Sequence, residues 1–155
     1  MKKYKNKDNF NLEKIKEIIK NSSEKTKVYI GCDSVVLRNK KIRFATVVIL
    51  HIDGKHGCKM YGKIEYDTTK DSNKAKPFNR MMMEVQKLTE MYTLLEEVLI
   101  DKDFEIHVDV NPNEKHGSNV AYGAAKGYIQ SIVGIMPTFK PFAFAASCAA
   151  DKFCR

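Results

Sequence analysis

The stretch V-Y-I-G-C-D-S, residues 28–34, decides how the chain is read. Alternation along an extended backbone puts Val28, Ile30 and Cys32 on one face and Tyr29, Gly31 and Asp33 on the other. The segment reads as a buried strand over 28–33 that finishes on a carboxylate, with a glycine beneath it and Ser34 beginning a turn. A lone acid at a strand end caps a turn; several acids meeting there make a site. The rest of the chain has to say which applies.

Working outward, Leu12, Ile15, Ile18 and Ile19 recur at helical spacing and predict a short amphipathic helix over 11–20. The β-branched run I-R-F-A-T-V-V-I-L-H (42–51) predicts a second strand. Asp53-Gly54 begins a turn, and C-K-M-Y-G-K-I-E-Y (58–66) alternates as a third strand, so the three should form an antiparallel meander. Residues 67–76 read as a polar loop, and Pro77 suits the first turn of a helix. Met81, Val85, Leu88, Tyr92, Leu95 and Leu99 then give the strongest helical pattern in the chain. F-E-I-H-V-D-V (104–110) is a fourth strand, followed by a turn and a small-residue helix over 118–133. F-K-P-F-A (139–143) is expected as a short fifth strand, and residues 144–153 as a closing helix. Residues 1–25 thus form a polar segment carrying a short helix, and 26–155 a single α/β domain, with right-handed crossovers after the meander.

Composition narrows the class. The chain has 155 residues, 43% hydrophobic and 30% charged, which suits one soluble globular domain. No apolar run reaches the ~20 residues of a membrane span, and the charged start M-K-K-Y-K-N-K-D is followed by no apolar signal region. A cytoplasmic protein is expected. Cys32, Cys58, Cys148 and Cys154 form no C-x-x-C pair and are expected to be reduced thiols, mostly buried. The net charge of +8 favours polyanionic partners. Neither a P-loop nor a dinucleotide fingerprint is present.

Against that basic background the acids stand out. On the fourth strand, Asp109 falls on the face opposite Phe104, Ile106, Val108 and Val110. If the first and fourth strands are parallel neighbours, Asp33 and Asp109 lie side by side at the carboxyl edge of the sheet, where ligands bind in open α/β folds. Glu84 precedes Leu88, Met91 and Leu95 by four, seven and eleven residues, so it faces the sheet. Asp151 lies among alanines that let the last helix approach closely. Four acids drawn together are unfavourable unless cations neutralise them, and two hard divalent ions, Mg²⁺ or Mn²⁺, are the simplest neutralisers.

The motifs Y-I-G-C-D-S (29–34), I-H-V-D-V-N (106–111), K-P (140–141) and A-A-S-C-A-A-D (145–151), with Glu84 between them, resemble the RNase H-like superfamily. Within it, the chain is similar to the YkuK-like branch of predicted RNase H-related nucleases. The resemblance implies a five-stranded mixed sheet, order 3-2-1-4-5, with helices on both faces. It also implies two-metal phosphodiester hydrolysis of RNA, DNA or an RNA–DNA hybrid, with ions roughly 3.5–4 Å apart. Asp33 would bridge both ions, Asp109 and Glu84 would hold the nucleophile-side ion, and Asp151 would complete the other. Lys140 is a candidate for contacting phosphate. His116, Asn111, Ser118 and Asn119 are candidates for the substrate rim, and His107 for supporting an acid. Two other readings compete: a non-catalytic nucleic-acid-binding module on the same fold, and a small phosphate-ester hydrolase using D-V-N at 109–111.

Overall fold

The valine and isoleucine runs become strands because β-branched side chains are stiff at χ1 and pack well on a pleated surface. They give β1 (Lys27–Val36), β2 (Lys41–His51) and β3 (Cys58–Thr68) as an antiparallel meander, with β4 (Asp103–His107) parallel to β1. The sheet order is β3-β2-β1-β4. This computed structural model describes residues 9–54, 57–68, 78–113 and 115–155; the expected loop beyond Thr68 and Pro77 lie outside the described residues.

Three expectations about β1, β4 and the fifth strand need correction. The sheet has four strands among the described residues, and 139–143 is not a fifth. Instead Thr138 makes one parallel bridge to His107. Thr138 N–H bonds Ile106 O (2.8 Å), Val108 N–H bonds Thr138 O (2.9 Å), and Lys140 N–H bonds Val110 O (3.2 Å). The Phe142 N–H then turns back to the Phe139 carbonyl at 2.9 Å, which ends the pairing. Pro137 and Pro141 bracket the segment and offer no N–H, which suits an edge. Second, β4 stops at His107 rather than 110, because the chain beyond it bonds to 138–140 instead of to β1. Third, Ser34 does not begin a turn: β1 continues to Val36, with Ser34 paired to Phe44 of β2.

Helices cover both faces of the sheet. On the Val28–Ile30–Cys32 face lie α1 (Leu12–Asn21), α2 (Phe78–Leu99) and α3 (Tyr122–Val133). Asn11 caps α1 by accepting the Lys14 N–H. Ile15 and Ile19 of α1 are fully buried in the same core as Val85, Leu88 and Leu95 of α2. Each such side chain contributes about 1.5–3 kcal/mol of burial. Helix α3 ends on Gly134 in the left-handed region, whose N–H bonds Gln130 O. The Tyr29–Gly31 face is covered by a π-helical segment, Ala145–Ala150, running into α4 (Asp151–Cys154). With Val47, Ile49 and Phe153 it makes a second, smaller core.

Cys32 and Cys154 are buried while Cys58 and Cys148 are exposed, so half of the thiols, not most, are interior; all four are free. No helix among the described residues is long and apolar enough to cross a membrane.

Candidate functional site

The parallel pairing of β1 with β4 ends at Gly31 and His107. Past that point β1 stays with β2 while the chain after β4 leaves to meet 138–140. Asp33 lies two residues beyond Gly31, and Asp109 two beyond His107, each on the same face as its glycine or histidine. The two acids therefore flank the fork just outside the end of the parallel ladder.

Asp151 arrives because the terminal segment sits unusually close to the sheet. A Cβ on Gly31 would lie 2.4 Å from the Ala145 carbonyl carbon and 2.6 Å from the Ala146 nitrogen, so only glycine admits this backbone. A Cβ on Gly62 would likewise meet the Phe153 ring at 2.3 Å. His107 accepts the Ala145 N–H through Nδ1 at 3.1 Å, its ring edge-on to Tyr29 and Phe144. At the far end of the segment the Cys154 thiol donates to the Asp33 carbonyl (3.1 Å), and Arg43 donates to the Cys154 carbonyl (2.8 Å). Pinned at both ends, the segment brings the Asp151 carboxyl close enough to Asp33 for its charge to disfavour ionisation there.

Glu84 comes from the opposite face. Its place between Met81 and Leu88 on the buried side of α2 leaves it 4% exposed, and Ser34 Oγ donates to its Oε1 at 2.5 Å. Arg80, one turn earlier, reaches the Ser34 carbonyl at 3.3 Å. Burial, and then the nearby Asp33, push the Glu84 carboxyl well above the ordinary range.

Electrostatics unite these groups. Burial raises the Asp33 carboxyl to about 7, with Asp109 and Asp151 adding repulsion against a bond from the Ser34 N–H. Three side chains among the described residues supply positive charge: Lys140 Nζ lies 2.9 Å from Asp109 Oδ1, Arg155 Nε 2.9 Å from Asp151 Oδ1, and Arg80 acts on Glu84. The Lys140 approach is off the hydrogen-bonding line, so Asp109 Oδ1 is charge-paired yet lacks an aligned donor. As the side chains stand, no three His, Cys, Asp or Glu groups among the described residues are gathered closely enough to hold a metal ion. The donor chemistry nonetheless fits a hard cation. The crowded donors are carboxylate oxygens, and burial keeps the adjacent Cys154 thiol protonated, pushed up to about 12.

The remaining candidates fall elsewhere. His107 docks the terminal segment; burial lowers its pKa, and its acidic neighbour is Glu105, with Oε2 3.7 Å from Nε2. His116 is exposed in a turn between Asn113 and Asn119. Asn111 Oδ1 accepts the Asn113 N–H, and Asn119 Nδ2 donates to the Pro112 carbonyl. Both asparagines shape the loop that follows Asp109. The Ser118 side chain lies outside the described residues. A surface cavity of about 800 Å³ lined by Lys16, Tyr92, Ile100 and Phe104 lies at the amino end of β4, and none of the four acids lines it. Sequence reasoning missed Ser34, Arg80 and Arg155. The i,i+4 spacings Arg80–Glu84 and Asp151–Arg155 were the available signal for the two arginines.

No curated protein and no solved structure matches the chain. A family model described as Ribonuclease H-like matches residues 11–155, from the cap of α1 through α4 and across every element that carries an acid of the site. The chain belongs to the Ribonuclease H-like family.

Proposed function

We propose that the protein is a metal-dependent nuclease that hydrolyses phosphodiester bonds in nucleic acid. One observation carries this reading above the others. Asp33 stands just beyond the end of the parallel ladder, desolvated and crowded by Asp109 and Asp151, and that burial and crowding push its carboxyl up. Such an arrangement destabilises the empty fold and favours bound cations.

In this reading Asp33, Glu84, Asp109 and Asp151 would hold Mg²⁺ or Mn²⁺ through their carboxylate oxygens. When bound, the ions supply a nucleophile at neutral pH and neutralise charge on the leaving 3′ oxygen. The chain's own residues prepare that chemistry. Ser34 orients the Glu84 carboxyl, and Arg80 holds the Ser34 backbone beside it. Gly31, His107 and Cys154 fix the segment that carries Asp151. Lys140, once released from Asp109, is free to meet a phosphate oxygen as a point charge.

A non-catalytic binding module is favoured by one fact: Lys140 and Arg155 already neutralise Asp109 and Asp151 without any metal. Hydrolysis of labelled RNA, DNA and hybrid strands with Mg²⁺ or Mn²⁺, comparing wild type with Asp33→Asn, separates the two. Metal-dependent cleavage lost in the variant is expected. Equal cleavage by both proteins would sink the assignment, and binding without cleavage would favour the module.

A further inference from the structure

The segment F-K-P-F-A-F (139–144) carries three phenylalanines with different fates. Phe139 packs against Tyr122, with ring centroids 4.7 Å apart, and Phe144 meets His107 edge-on at 4.7 Å and Tyr29 at 4.8 Å. Phe142 is 75% exposed, and no ring contact is made by it among the described residues. An isolated exposed apolar side chain is ordinary; this one differs in where it stands and how it is held. Its N–H bonds the Phe139 carbonyl (2.9 Å), its own carbonyl accepts the Phe144 N–H (3.0 Å), and the next N–H, of Ala145, bonds His107. The ring is thus mounted on a turn tied to the core on both sides. Two residues before it, Lys140 places its ammonium 2.9 Å from Asp109.

A water-facing ring on a tethered turn, two residues along the chain from a cation at the acid site, is the pairing that single-stranded nucleic acid calls for. The cation takes a backbone phosphate and the ring takes the face of a base. A base inside a duplex has both faces covered by its neighbours, so only an unpaired or splayed nucleotide can use the ring. We infer that Phe142 is a stacking platform for an unpaired nucleobase, so that the substrate presented to the acids is single-stranded nucleic acid or a frayed end. This inference rests on the nucleic-acid reading above.

The test is fluorescence anisotropy in EDTA with labelled single-stranded RNA, single-stranded DNA and a blunt duplex. Omitting divalent metal keeps binding separate from cleavage. The wild-type protein should prefer either single strand to the duplex. Phe142→Ala should weaken single-strand binding about tenfold, within the range for one stacked base, and leave duplex binding unchanged. Phe142→Trp should restore it. Unchanged single-strand affinity in Phe142→Ala, equal affinity for duplex, or failure of tryptophan to restore binding would overturn the inference. If the wild-type protein binds no nucleic acid in EDTA, this inference falls, while the nuclease reading stands or falls on the cleavage assay with Mg²⁺ or Mn²⁺. If binding behaves as expected but no metal-dependent cleavage follows, the nuclease reading alone falls.

Discussion

Replacing Gly31 with alanine should damage both the fold and the acid site, to an extent set by how closely the terminal segment approaches it. An added methyl would sit 2.4 Å from the Ala145 carbonyl carbon, 2.6 Å from its oxygen and 2.6 Å from the Ala146 nitrogen. Ordinary contact begins near 3.4 Å, so the terminal segment must retreat by about 1 Å. All three atoms are backbone, and no rotamer change can relieve them. Overpacking of this kind costs about 1–3 kcal/mol, which for a chain of this size lowers Tm by about 2–12 °C. The retreating segment also shields Asp33 and carries Asp151, so Asp33 loses burial first and Asp151's repulsion second, and its carboxyl should fall below about 7. Thermal unfolding in EDTA reads the first effect, and a carboxyl-carbon NMR titration reads the second. Ala145→Gly added to Gly31→Ala should rescue neither, because the obstruction is main chain. A Gly31→Ala protein that melts at the wild-type temperature with Asp33 still titrating near 7 would refute the close-approach argument.

Three further outcomes follow from the same geometry. Asp33 binds its proton more tightly when folded, near 7, than at its ordinary 3.8. The metal-free protein should therefore lose stability as pH rises from about 4 to about 7 and level off above, by on the order of 4 kcal/mol at most. Asp33→Asn should flatten that part of the denaturation profile, and an unchanged slope would count against the assignment. Lys140→Met removes the cation 2.9 Å from the half-buried Asp109 and should cost about 1–2 kcal/mol without metal, between exposed and buried pairs. Added Mn²⁺ should then raise its Tm more than that of wild type; equal shifts would mean that metal and lysine do not compete. Glu84→Gln keeps an acceptor for Ser34 and should change stability by less than about 1 kcal/mol, while Glu84→Ala strands the hydroxyl at about 1–3 kcal/mol. Urea midpoints in EDTA decide it, and equal losses would show that the hydrogen bond is not what matters.

The meander and the long helix were legible because local pattern dictates them: alternation in 28–33 and 42–51, and period 3.6 from Met81 to Leu99. The common face of Asp33 and Asp109 followed from the same alternation. The end of the sheet was not legible. F-K-P-F-A has strand composition, yet its hydrogen bonds stop after Lys140 because Phe142 turns back on Phe139, a tertiary outcome that no local propensity carries. Ser34 looked like a turn residue by type, but pairing with Phe44 and the bond to Glu84 keep it in the strand. Gly31 was readable as a space-maker, although what fills the space is a backbone from the far end of the chain. The charge partners of Asp109 and Asp151 were harder still. Ion pairs depend on side-chain reach, and the Lys140–Asp109 contact joins two irregular stretches remote in sequence, with no periodicity between them.

The close seat of residues 145–154 on Gly31 also sets an order of events in time. β1, β2 and β3 follow one another along the chain, so their pairing closes small loops and forms early. Asp151 meets Asp33 only when a segment remote in sequence finds a floor cleared of side chains. That docking is held by few polar bonds and a small alanine-rich core, so it should also be the first part to open, with amide exchange faster than in the meander. A nascent or nicked chain lacking this segment would hold a finished sheet and an incomplete set of acids. Any cutting activity would then begin only at the final docking step.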